Sequence, residues 1–229
     1  MNERLKSIID LKKYPIYDLN SPIIQNLIKK CKDELDQFSC STIPNFILPK
    51  SLEIMNLELE KQLDEVYMSK ESINPYLYAE DDPKLPKDHP KRTFMNRYNG
   101  YLNSDCFKKD SEMKYLYETE ELLKFVSACL GVSPIYRWAD PLACHAYNVM
   151  EPEGILPWHF DSCEFTLSLM IQKPEQGGIF EYCPNIREPG NENFEEVKKV
   201  LNGDRARVKQ LNLEPGDLQI FKGRFTLHR

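Results

Sequence analysis

The sequence predicts an α+β protein, with a mainly helical support layer that carries some strands over residues 1–130. An antiparallel jelly-roll core follows over residues 131–229. Three observations lead there. Apolar residues recur at helical spacing in segments before Gly131. After it, short β-rich runs alternate with Pro/Gly turn signals. One of those runs, EFTLSLMIQ from Glu164 to Gln172, alternates strictly, with Phe165, Leu167, Leu169 and Ile171 on one face. A chain of 229 residues is long enough for one large domain.

The first helix expected is SPIIQNLIKKCKDELDQF, with Ser21 as N-cap and Pro22 at the first helical position. Ile24, Leu27, Ile28, Cys31 and Leu35 would form its apolar stripe. TIPNFIL reads as a short strand, and Ser51–Met68 as a second helix capped by Ser51. TEELLKFVSACLG reads as a third, started by Thr119 and ended by Gly131. The strands then follow as IYRW, LACHAYNVM, EFTLSLMIQ, GGIFEYC, VKQLNL, DLQIFKG and FTLHR, interrupted by a helical NENFEEVKKVLNG. Short, closely spaced strands of this kind build sandwiches or barrels.

Composition excludes several classes of function. A net charge of −6 argues against a general binder of nucleic acid or membrane surface, which needs a basic field. The basic stretch PKLPKDHPKR reads as a solvated loop. No apolar run is long enough to span a bilayer, and the polar start MNERLKSIID lacks a signal-peptide core. Seven scattered cysteines without a CxxC pair suit free thiols in a reducing cytoplasm.

The chemistry concentrates in PWHFDSCEF. His159 and Asp161 stand at i and i+2, so on an extended chain both side chains point to one face. Alone, the pair is weak evidence, because a hydrogen-bonded surface turn has the same pattern. A late histidine, His228, follows the EPGD turn in a strand–turn–strand segment and supplies a third donor. Two histidines and one carboxylate on a face are the facial triad of mononuclear non-haem iron(II), with the opposite positions open. Zinc accepts the same donors. His145 reads as a supporting residue and His89 as a solvated loop histidine.

The segment from His145 to Arg229, with its HxD pair, EQGGIF turn and GD…LH approach to the distal histidine, resembles the iron(II)/2-oxoglutarate-dependent oxygenases. GGIFEY, NIR and GRFTLHR are most similar to a bacterial group of free-amino-acid hydroxylases and halogenases. The resemblance implies a double-stranded β-helix (jelly roll), with His159, Asp161 and His228 holding Fe(II). It implies 2-oxoglutarate and O2 as cosubstrates, C–H hydroxylation, and a small substrate such as a free, lysine-like amino acid. In the group's halogenases a small residue replaces the carboxylate. Asp161 retains it, which favours a hydroxylase. Desaturation or ring closure, peptidyl hydroxylation, and a non-enzymatic metal- or ligand-binding jelly roll remain as alternatives. The family also implies an arginine roughly ten residues past the distal histidine to pair with 2-oxoglutarate. This chain stops at Arg229, so either its natural form is longer or another group, such as Tyr147 or Asn148, anchors the cosubstrate.

Candidates for substrate binding are Arg92 and Arg97, either of which could clamp a carboxylate, and Asp140, which could meet an ammonium. Trp138, Trp158, Ser162 and Arg187 flank the site in sequence. Each has an ordinary alternative: a surface ion pair, a turn aspartate, a core aromatic or a loop-closing arginine. Oligomeric state is not legible in the chain.

Overall fold

A computed structural model describes residues 3–229; Met1 and Asn2, within the polar start, lie outside them. Among the described residues the fold is mixed, with six α-helices and three small antiparallel sheets. In chain order the helices are α1 (Glu3–Ile8), α2 (Pro22–Phe38), α3 (Pro49–Glu60), α4 (Glu112–Glu118), α5 (Glu120–Leu130) and α6 (Phe194–Leu201). The strands are β1 (Cys40–Ile43), β2 (Tyr67–Ile73), β3 (Met95–Leu102), β4 (Tyr147–Val149) and β5 (Thr166–Leu169). They continue as β6 (Phe180–Cys183), β7 (Lys209–Leu211), β8 (Leu218–Phe221) and β9 (Leu227–His228). No helix among the described residues is long and apolar enough to cross a membrane.

Helix α2 forms as its sequence dictates. The Ser21 hydroxyl accepts from the Ile24 N–H at 3.4 Å, and Pro22 occupies the first turn, where its missing donor costs nothing. Ile24, Ile28, Cys31 and Leu35 are buried on one stripe. It packs against α5, which Gly131 ends in the left-handed conformation, φ 69°. The large core gathers these helices with Phe46, Phe125, Leu102, Tyr147 and Ile220.

The second expected helix is shorter and starts earlier. Pro49 stands in its first turn, Leu48 is the N-cap, and Ser51 lies inside, its hydroxyl bonded to Glu112. The chain leaves the helix after Glu60 because Tyr67–Ile73 pairs along its full length with β3. Thr119 takes the N-cap position of α5, but its hydroxyl donates to the Leu116 carbonyl at 2.7 Å rather than capping. IYRW is an exposed loop, not a strand: Arg137 bonds the carbonyls of Tyr117, Glu118 and Thr119, and among the described residues no strand pairs with it.

The sheets run β1-β8-β5, β2-β3-β4 and β7-β6-β9. The first half of the chain is therefore more than a helical layer. β1 pairs with β8 and β3 pairs with β4, so both halves build common sheets. A smaller core of Trp158, Phe160, Cys183, Ile186, Val197, Val200 and Leu227 lies under β6, β9 and α6. The site is built beside this second core.

Candidate metal centre

His159 and His228 face each other as an isolated antiparallel bridge. Each N–H donates to the other's carbonyl, at 2.9 and 3.0 Å. Residues paired this way project their side chains to one side of the sheet. Their rings lie with centroids 4.2 Å apart. Asp161 follows His159 by two residues on the same face, and its N–H donates to the Gly223 carbonyl at 3.2 Å. The backbone alone thus delivers three donors to one point.

The imidazoles are set for ligation. His159 Nδ1 lies 2.8 Å from the Pro157 carbonyl, and His228 Nδ1 lies 2.8 Å from the Thr226 carbonyl. A carbonyl only accepts, so each Nδ1 carries a proton, and the tautomer this selects places the lone pair on Nε2. Those two Nε2 atoms stand 3.7 and 3.6 Å from the same oxygen, Asp161 Oδ1. One ligand atom from each residue lies within 4.8 Å of the others. Both histidines are buried, at 6% and 3% exposure.

Electrostatics agree. Burial pushes His159 down to about 3, and the neighbouring His228 and the Arg97 cation add to this against the Pro157 bond and Asp161. The ring is therefore neutral at pH 7. For Asp161 burial opposes ionisation, but the neighbouring His228 ring and the bond from the Thr166 hydroxyl outweigh it and hold the carboxyl below its usual range. Two imidazoles and a carboxylate form a borderline N,N,O donor set that suits a divalent transition metal. The close fit around the carboxylate points the same way: a Cβ at Gly223 would lie 2.7 Å from Asp161 Cγ.

Of the other candidates, Arg97 lies close enough to this centre for its charge to act on His159. It lies on the β3 face that also carries Asn99 and Tyr101. Fully buried Asn99 accepts from Arg97 Nε at 2.8 Å and donates to Asn148 Oδ1 at 3.2 Å. Asn148 therefore shares the Arg97 face. Tyr147 faces the opposite way, its ring stacked on Phe107 at 4.8 Å in the large core.

Arg92 is occupied elsewhere, bidentate to Asp81 at 2.8 Å for each bond and bonded to the Leu85 carbonyl. Arg187 closes a loop: it bonds Glu192 and the Arg224 carbonyl, and its guanidinium covers Phe160 at 3.9 Å. Trp158 is packed in the smaller core beneath Arg229. The Ser162 carbonyl accepts two bonds from Arg224, at 3.1 and 2.5 Å. Trp138 and Asp140 lie on the exposed loop after α5. Trp138 is 56% exposed, and one Asp140 oxygen accepts from the Leu142 N–H at 2.9 Å.

Sequence reasoning missed Thr166, Asn99, Gly223 and Arg224. Thr166 Oγ1 donates to Asp161 Oδ2 at 2.6 Å. A glycine just before a strand that ends in the distal ligand was the one signal of a close approach there.

Two histidines and a carboxylate meeting on one face define a facial-triad site for a single divalent metal. A family model, described as Halogenase D, matches residues 90–229. That is more than half of the chain, including all three donors, and the protein belongs to this family. No curated protein matches the chain. The family and the donor set together mark a halogenase-like oxidoreductase with a candidate iron site.

Proposed function

We propose that the protein is an iron(II)- and 2-oxoglutarate-dependent oxygenase of jelly-roll type that hydroxylates a small polar substrate, a free amino acid of lysine-like shape. The observation that carries this is the Asp161 carboxylate, whose Oδ1 lies at near-equal distance from both imidazole Nε2 atoms. A halogenase of this group leaves that position to chloride; here the protein fills it, which supports hydroxylation.

His159, His228 and Asp161 would hold the iron. Bound there with 2-oxoglutarate and O2, it would convert a substrate C–H to C–OH while the oxoacid becomes succinate and CO2. The chain's own residues do the binding and aiming. Arg97, held at Nε by Asn99, keeps its terminal nitrogens for a carboxylate. Asp140, with one oxygen taken by the Leu142 N–H, keeps the other for an ammonium. Asn148, on the Arg97 face, is the candidate contact for 2-oxoglutarate. Burial of both histidines keeps water from the protein side of the metal.

Succinate formation with Fe(II), 2-oxoglutarate and a panel of free amino acids tests the reading, with mass spectrometry of the products. A mass gain of one oxygen on a basic amino acid, lost in Asp161→Ala, is the expected result. Chlorinated product from the unaltered protein, or hydroxylation that survives Asp161→Ala, would overturn it.

A further inference from the structure

The two oxygens of Asp161 have different surroundings. Oδ1 faces both imidazole Nε2 atoms, at 3.7 and 3.6 Å. Oδ2 takes the Thr166 hydroxyl at 2.6 Å. On the same oxygen the backbone of Gly223 closes in, so near that a Cβ there would overlap the carboxylate. Thr166 opens β5 and pairs with Phe221, two residues before Gly223. The Asp161 N–H donates to Gly223 O. The carboxylate is thus held between the first residue of β5 and the turn after β8.

We infer that Thr166 and Gly223 are positioning residues that keep Asp161 a one-oxygen ligand. A carboxylate whose second oxygen has no fixed donor can rotate and chelate, using one more coordination position. With Oδ2 committed to Thr166, an octahedral divalent ion keeps the whole face opposite the triad for exogenous ligands. The Thr166 hydroxyl sets the number of open positions, and Gly223 makes the room in which this bond forms. The inference rests on the metal-binding reading of the three donors, and concerns only how one of them binds.

The test uses Mn(II) as the probe, with the full chain and no substrate. Water-proton relaxation counts exchangeable waters on the bound ion, and electron paramagnetic resonance gives its affinity. About three waters are expected on the wild type and about two on Thr166→Val, as Oδ2 turns onto the metal. Valine is close in shape and, like threonine, β-branched, so it suits β5. Thr166→Ser keeps the donor and should keep about three waters. Gly223→Ala, which displaces the same carboxylate without touching Thr166, should weaken Mn(II) binding about tenfold or more.

An unchanged water count in Thr166→Val, or unchanged affinity in Gly223→Ala, overturns the inference and leaves the metal site standing. A wild type that binds no Mn(II) removes both.

Discussion

The triad is assembled by the folded backbone, so a metal should bind the native chain and have little to hold in the unfolded one. The perturbation is addition of Co(II) or anaerobic Fe(II) to metal-free protein. A ligand at a hundred times its dissociation constant stabilises the native state by about 2.7 kcal/mol. Unfolding entropy near 60 °C is about 2.1 cal/mol/K per residue, so for 229 residues it is roughly 0.5 kcal/mol/K. The ratio is a rise in Tm of about 6 °C. Differential scanning calorimetry reads it directly. The same titration on His228→Ala should lose most of the shift, because only one imidazole and the carboxylate remain. A wild-type Tm that does not move with metal, or a shift of equal size in His228→Ala, would refute the claim that these three side chains act as one site.

Acid should destabilise the metal-free protein. His159 is held at about 3, below an ordinary histidine, so the unfolded chain takes up a proton that the folded site refuses. Its contribution is complete above about pH 6.5 and falls by roughly 1 kcal/mol per pH unit down towards pH 3, which urea melts across that range would show. Arg97→Lys should raise KM for amino acid substrates about tenfold or more with a smaller effect on kcat, because a lysine cannot both bond Asn99 and offer a planar pair to a carboxylate. Asn99→Leu should move KM in the same direction, and steady-state kinetics with the best substrate of the panel would expose a failure of either. Gly131→Ala should cost about 1 kcal/mol in a urea melt, since φ 69° strains any residue with a Cβ.

Much of the helical part was legible because its signals are local. Ser21, Pro22 and the Ile24–Leu35 stripe define α2 within one stretch of chain, and Gly131 ends α5 where a left-handed residue is needed. The strands were less readable. IYRW has strand composition, but Arg137 is fastened to the carbonyls at the α4–α5 junction, and tertiary bonds override propensity. The helical pattern of Ser51–Met68 runs past Glu60 in sequence, yet β3 captures Tyr67 and Met68 as the start of β2. At the centre, the i, i+2 rule placed Asp161 beside His159 without knowledge of the fold. What it did not show was how they are held, because Thr166, Gly223 and Asn99 act through contacts that no spacing records. Arg92 and Arg97 look alike in sequence; only Asp81 on one and Asn99 on the other tell them apart.

The mutual peptide hydrogen bonds of His159 and His228 have a consequence for how such a protein can change. The pairing of the two histidines is inherited from main-chain geometry, while the Phe180 and Phe221 rings flank the His228 imidazole. The polar face of β3, which carries Arg97 and Asn99, is then free to vary without loosening that pairing. A chain built this way can exchange one substrate for another while its reactive centre stays where it was.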